Sequence, residues 1–221
     1  DIVVKQHYPL PSVKQCLDAL AKSNRFTTLD MITAFWQSPL DPASRELTAV
    51  NFKWGRYSFV TMPMGLQAAS AVFQRNMDLL LSGLCPHLAI SYIDDILIHT
   101  GGSLDDHLDA VVQVLDRVGG AGYTFRPGKT YVAARRVSFL GYDISEGCIQ
   151  PSSKHVEQIR DAEFPPDAEG LSRWIGLVQY FASHMPYQSL WLGPLHDRVS
   201  RKDSGPPSKE CLDAFGHVKR V

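Results

Sequence analysis

Residues 88–100 read Leu88-Ala89-Ile90-Ser91-Tyr92-Ile93-Asp94-Asp95-Ile96-Leu97-Ile98-His99-Thr100, two apolar halves around a pair of adjacent acids. Side chains along a strand alternate between faces, so a single straight strand would have to bury a carboxylate. The pattern therefore predicts a hairpin with Asp94 and Asp95 at its turn. His99, on the strand leaving the acids, reads as a satisfied sheet residue rather than a general base.

Working outward, residues 26–30 form a short strand that ends in Asp30, and residues 47–52 and 56–61 form an aromatic-rich hairpin across Lys53-Trp54-Gly55. Ser12 caps a helix running to Leu20 with Val13, Cys16 and Leu17 at helical spacing. A helix over 68–82 turns Ala69, Val72, Phe73, Met77 and Leu80 inward. A second over 103–118 is expected to bury Leu104, Leu108, Val111, Val112 and Leu115, and Gly119, Gly120 and Gly122 stop it. Short strands follow at 131–132, 137–140 and 142–144 with turns at Gly141 and Gly147, then helices at 152–162 and 168–184. Residues 200–208 read as a linker or exposed loop. The expected fold class is α+β: an antiparallel sheet backed by helices through about residue 147, then a small, mostly helical part.

A chain of 221 residues with 44% hydrophobic content is enough for one substantial core or two small ones. No apolar run approaches the ~20 residues that a membrane-spanning helix needs, and Asp1 opens no signal-peptide pattern. An intracellular, cytoplasmic or nuclear protein without a membrane role is expected. Cys16, Cys85, Cys148 and Cys211 lie more than sixty residues apart, which excludes a zinc ribbon and suits buried thiols in a reducing compartment. A net charge of -1 argues against a dedicated nucleic-acid binder on charge alone. The charge is nonetheless segregated: residues 76–116 carry seven acids and no Lys or Arg, while residues 117–142 carry five basic residues and no acid.

Adjacent carboxylates at an apolar hairpin tip repel one another unless a cation compensates. Mg2+ is typically held by one or two carboxylates plus substrate phosphates. If the 26–30 strand pairs beside the hairpin, Asp30 and Asp94 face each other with Asp95 beside them, an arrangement suited to two ions and phosphoryl transfer. Gly65, ahead of the 68–82 helix, permits close approach of a base or backbone.

Tyr92-Ile93-Asp94-Asp95, preceded by Asp30 and by Met62-Pro63-Met64-Gly65-Leu66, resembles the palm of a retroelement reverse transcriptase, above all those of Ty3/gypsy-type LTR retrotransposons. The resemblance runs from Tyr8-Pro9-Leu10-Pro11 through Phe59–Gln74, Phe139-Leu140-Gly141 and Gly176–Pro186 to Lys209–Phe215. It implies an RNA-directed DNA polymerase with the palm and residual fingers elements at 1–147, thumb-like helices at 148–193 and the start of a connection region at 194–221. By position, Asp30, Asp94 and Asp95 are the implied catalytic carboxylates and metal ligands, joined by the Met31 carbonyl. Asp30 and Asp94 are the more direct ligands. The cofactor is Mg2+, with Mn2+ as the alternative. Phe35, otherwise an ordinary core aromatic, falls on the sugar gate, and Gly65 and Gln67 on the nucleotide side. Tyr92 falls under the primer terminus, and Phe139, Leu140 and Gly141 on the primer grip. Lys129, Arg135 and Arg136 are placed for primer or template phosphates, and Trp174, Leu177, Tyr180 and Phe181 for packing against the palm. Partners would be an RNA or DNA template with primer and dNTP.

The resemblance has gaps. Only seven residues precede Tyr8, where the family carries basic finger strands. Ala34, Trp36, Ala68 and Ser70 replace the family's Gly, His, Asn and Pro. Weak or absent polymerisation by the isolated chain is therefore expected, and a domesticated scaffold or protein-interaction module is the alternative. A generic metal-dependent nuclease lacks a fourth acid. Val3, Val4, Phe52 and Phe59 would form an uncovered apolar surface fit for a homodimer or a protein partner.

Overall fold

A computed structural model describes residues 8–203 and 205–220. Two compact units divide the chain: one holds residues up to Leu140 and then Ile144–Ile149, the other Gly141–Asp143 and residues from Gln150 onward. Ser12 opens α1 (Val13–Ala19) with a reciprocal cap, its hydroxyl accepting from the Gln15 amide while the Gln15 side chain accepts from the Ser12 amide. Next come β1 (Arg25–Asp30), α2 (Pro42–Arg45), the hairpin β2 (Val50–Phe52) and β3 (Gly55–Tyr57), and α3 (Ala69–Leu80). The acid-bearing hairpin is β4 (Ala89–Tyr92) and β5 (Asp95–Thr100), followed by α4 (Leu104–Gly120), β6 (Tyr131–Ala134) and β7 (Arg136–Phe139). The chain continues through β8 (Tyr142–Ser145), β9 (Cys148–Pro151), α5 (Ser153–Arg160), α6 (Ala168–Tyr180), α7 (Gln188–Ser200) and α8 (Lys209–Val218).

The fold class is α+β, as the sequence predicts. Strands pair antiparallel in the order β4-β5-β1-β6. One face of this sheet gives Leu29, Ile96 and Ile98 to a core completed by Phe73, Met77 and Leu81 around α3 and by Val111, Val114 and Val118 of α4. Truncating a fully buried member such as Met77 to Ala costs about 2–5 kcal/mol through lost burial and the cavity left behind. Strands β7, β8 and β9 form a separate three-stranded meander.

The inward face of α4 differs from the apolar count. Leu104, Leu108, Val112 and Leu115 are exposed, while His107, Ala110, Val111, Val114 and Val118 are buried. The cause is a polar anchor: His107 bonds Thr27 of β1 through Nε2 at 2.8 Å and Thr100 of β5 through Nδ1 at 2.9 Å. Two hydroxyls make that ring a better core residue than a leucine one position away, and the helix rotates to suit. His99 is likewise a satisfied sheet residue, Nδ1 meeting the Ser23 hydroxyl at 2.8 Å and Nε2 the Pro86 carbonyl at 2.9 Å.

The thiols also depart from expectation: Cys16 and Cys211 are buried, Cys85 is half-buried and Cys148 is exposed. Burial pushes the Cys85 thiol up to about 11. The β2–β3 hairpin closes through Lys53-Trp54, with Gly55 already paired to Phe52. Phe52 and Phe59 are exposed; Val3 and Val4 lie outside the described residues. Among the described residues no helix is long and apolar enough to cross a membrane.

The second unit has its own core, in which Trp174 lies 4.3 Å from the Phe215 ring beside Leu171, Ile175 and Leu195. Phe181 is buried against Tyr142, Leu177 is half-buried and Tyr180 remains exposed. Helices α7 and α8 go unread in the sequence. The 200–208 stretch is tied down by the buried Arg198 guanidinium, which donates to Asp203 and to the Gly205 carbonyl.

Burial lowers the pKa of both His99 and His107, with neighbouring His107 and His87 adding for the first and Arg25 for the second. A histidine depressed in the folded state takes up its proton first in the unfolded chain, so stability is full above about pH 6.5 and falls as pH drops below it. The thermal midpoint should therefore fall between pH 7.5 and pH 5, and His107→Gln should flatten that dependence while lowering the midpoint at pH 7.5. Calorimetric scans of both proteins across this range check it.

Candidate active site

The register of β1 against β5 sets Asp30 directly opposite Asp95, and the register of β5 against β4 sets Asp95 opposite Tyr92. Residues facing each other across antiparallel strands share a face, with Cα atoms about 4.5–5.5 Å apart. Tyr92, Asp95 and Asp30 thus form one lateral row at the end of the sheet. Asp94 sits beside the row, in the two-residue turn between β4 and β5. Asp95, rather than Asp94, is the cross-strand neighbour of Asp30. Asp94 and Asp95 are both exposed.

Loss of hydration where the carboxyl is partly enclosed by the chain, then the like charges of Asp94 and Asp30, push the Asp95 carboxyl above the usual carboxylate range. Asp30 has cationic neighbours instead: Lys129 Nζ at 3.5 Å and Arg126 Nη1 at 3.9 Å. The Arg126 amide also donates to the Asp30 carbonyl at 2.8 Å. Ion pairs this open to water contribute little stability; their importance is that the 126–129 segment lays positive charge beside the acids. Among the described residues no three ligating side chains converge on one point. The hard oxygen donors and the mutual repulsion at Asp95 fit a divalent cation held by two carboxylates at most, its other positions taken by water or substrate oxygen.

The loop after β1 continues the site. Met31 is buried and bridges Phe125, and Phe35, half-buried, meets the Phe73 ring edge-on at 5.5 Å. Gln37 holds this loop in place, accepting from the Thr124 amide at 2.7 Å and hydroxyl at 3.0 Å while donating to the Thr124 and Ile32 carbonyls. Gly65 has φ 88°, and among the described residues, its two chain neighbours aside, no heavy atom comes within 4 Å of where its Cβ would stand. The conformation requires glycine and the space above it is open. Gln67 is exposed two residues on.

Other predicted residues lie elsewhere. Arg135 is 3.9 Å from Glu146 and bonds the Asn24 carbonyl, so it stands at the opposite end of β1 from Asp30, roughly 20 Å away at the usual rise per strand residue. Arg136 is exposed where β7 begins, and Phe139 is buried at its end. Leu140 and Gly141 both have positive φ, 48° and 77°, as a tight two-residue hairpin turn demands. A Cβ on Gly141 would press on His155 at 3.2 Å.

Two residues that the sequence does not single out emerge as supports of the site, Gln37 and the fully buried Gln74. For Gln74 there is a readable signal: an amide on the apolar stripe of α3, between Phe73 and Met77, with an acid four residues later.

Comparison with known proteins supplies an independent line. The family described as reverse transcriptase (RNA-dependent DNA polymerase) matches residues 2–144. The chain is similar to the retrovirus-related Pol polyprotein from transposon 297 of Drosophila melanogaster, 28% identical over 222 residues, covering 100% of this chain and 21% of that protein. It is 31% identical over 216 residues to the enzymatic polyprotein of Cauliflower mosaic virus (strain CM-1841), covering 96% of this chain and 31% of the relative. The chain therefore spans less than a third of the length of these relatives. In fold it is similar to the foamy viral protease-reverse transcriptase solved in complex with RNA/DNA hybrid, with TM-score 0.85, 22% identity, and 96% of this chain and 29% of that one covered.

The charge cluster predicts a measurable titration. Asp94→Asn should bring the Asp95 carboxyl down toward its ordinary value, and Asp30→Asn should do so by less, because Asp94 exerts the larger repulsion. Carboxyl 13C NMR titration of Asp95 in the three proteins reads this directly; an unchanged or higher value in Asp94→Asn would contradict the geometry.

Proposed function

Because the chain belongs to the reverse transcriptase (RNA-dependent DNA polymerase) family, we propose that it is the polymerase portion of a Ty3/gypsy-type retroelement polyprotein, extending a primer 3′-hydroxyl with deoxynucleotides on an RNA or DNA template. In this reading residues 1–147 are the palm, 148–193 the thumb-like part and 194–221 the start of a connection region. The observation that carries it is the lateral pairing of Asp30 with Asp95, with Asp94 in the adjoining turn. Solved proteins of this fold hold RNA/DNA hybrid or double-stranded DNA, which supports a nucleic-acid partner here.

Asp30, Asp94, Asp95 and the Met31 carbonyl would be the ligand set for Mg2+ or Mn2+, no ion taking more than two of the carboxylates, and the metal would supply Lewis-acid activation of the attacking hydroxyl and neutralise developing phosphate charge. Asp95, with its raised pKa, is the carboxyl most relieved by a cation. Tyr92, in the same lateral row, supports the primer terminus, and Phe139, Leu140 and Gly141 grip the primer strand. Phe35, braced on Phe73, bars a ribose 2′-hydroxyl. Gly65 and Gln67 border the open space for the incoming nucleotide. Lys129, at Asp30, is positioned for phosphate charge near the chemistry, whereas Arg135 and Arg136 suit more distant backbone phosphates.

Primer extension on an RNA template with Mg2+ or Mn2+ tests the assignment. Asp94→Asn/Asp95→Asn should lose on the order of 100-fold or more of the rate, as expected when electrostatic stabilisation of a transition state is removed. The isolated chain is expected to extend weakly, and equal measurable incorporation by both proteins would end the assignment of metal ions to these carboxylates. Phe35→Val should raise ribonucleotide over deoxynucleotide incorporation on the order of tenfold, the scale of one pocket contact.

The exposed β2–β3 hairpin favours a second reading, in which its aromatic face takes a protein partner or a second copy of the chain. Phe52, Trp54 and Tyr57 are all more than half exposed, Trp54 at 80%. Sedimentation over a range of concentrations should show association that Trp54→Ser weakens; a particle that stays monomeric throughout would remove the second-copy form of this reading.

A further inference from the structure

The turn that carries Asp94 and leads into Asp95 is held in an unfavourable backbone conformation. Ile93 has φ 56°, a left-handed value that a β-branched residue rarely adopts. Such a conformation persists only where the surroundings over-determine it. Here the determinant is a side chain from another element: Gln74 of α3, fully buried, accepts the Ile93 amide hydrogen on Oε1 at 2.7 Å.

The other end of that amide is equally committed. Gln74 Nε2 donates to Asp78 Oδ1 at 2.8 Å, to the Ser91 hydroxyl at 3.1 Å and to the Ser91 carbonyl at 3.2 Å. The second oxygen of Asp78 accepts from the Tyr8 hydroxyl at 2.6 Å. A carboxylate only accepts and a backbone amide only donates, so this amide has one orientation: nitrogen toward Asp78, oxygen toward Ile93.

We infer that Gln74, oriented by Asp78, is a positioning residue that fixes the Ile93 turn and through it the placement of the Asp94 and Asp95 carboxylates. This rests on the reading of that turn as the reactive one, but the hydrogen-bond logic can be tested separately. Gln74→Glu sets a second acceptor against Asp78. Asp78→Asn turns an acceptor into a side chain that can donate. Combined, they reverse the polarity of the 74–78 bond while leaving an oxygen at position 74 for the Ile93 amide; the donation to the Ser91 carbonyl is the contact they do not restore.

The experiment uses the whole chain, with primer extension and amide hydrogen exchange at Ile93 measured by NMR on the wild type, Gln74→Glu, Asp78→Asn and the double variant. The expected result is a tenfold or greater loss of kcat in Gln74→Glu with the KM for deoxynucleotide little changed, at least tenfold faster exchange at Ile93, and substantial recovery of both in the double variant. A merely space-filling role predicts no recovery. Wild-type kcat and exchange in Gln74→Glu, or a double variant no better than Gln74→Glu, overturns the inference. If the isolated wild-type chain extends no primer, in keeping with the weak or absent polymerisation expected of it, Ile93 exchange alone decides this inference: acceleration with recovery supports it, and unchanged exchange refutes it.

Discussion

The antiparallel register that sets Leu29 against Ile96 places both the core and the acids. With that register, Leu29, Ile96 and Ile98 turn into the core and the next step along β1 delivers Asp30 beside Asp95 at the sheet end. Because side chains alternate at every residue, a slip of one position would send carboxylates inward and leucines outward. The burial of the hydrophobic face thus supplies the free energy that holds like charges together. Asp95 records the cost as a carboxyl that gives up its proton less readily.

Around this constraint the first unit adds polar supports of a consistent kind. His107 ties α4 to β1 and β5 through two threonine hydroxyls, Gln37 ties the loop after β1 to Thr124, and Gln74 ties α3 to the β4–β5 turn. Each is a polar side chain with at least one hydrogen bond to a group distant in sequence. Satisfied networks of this sort cost little to bury and specify one arrangement where packing alone would tolerate several.

These supports also mark how much of the molecule the sequence discloses. The hairpin around Asp94 and Asp95 and the strand ending at Asp30 follow from alternation and from the expense of burying a charge, so the nearness of the acids was legible, but not that Asp95 rather than Asp94 faces Asp30. The inward face of α4 was not, since counting apolar residues ranks Leu104 and Leu108 above a histidine whose hydroxyl partners lie in other strands. Helix α7 was hidden by Pro194 inside it. The ion pair of Lys129 with Asp30 was not legible either, because it depends on how the fold brings the 126–129 segment back to β1. Net charge was similarly uninformative: what counts at the site is the separation of acidic residues 76–116 from basic residues 117–142, which the 126–129 segment then folds back upon Asp30.

The two-residue connection between Tyr92 and Asp95 has an evolutionary corollary. A single inserted or deleted residue there would reverse the facing of everything after it on β5, detaching one acid from Asp30 and driving the other half of the strand out of the core. Drift at this hairpin should therefore be confined to exchanges of side chain at constant length. The β2–β3 tip, exposed on all sides and bearing no such coupling, is free to lengthen or shorten, and lineage-specific gaps should accumulate there instead.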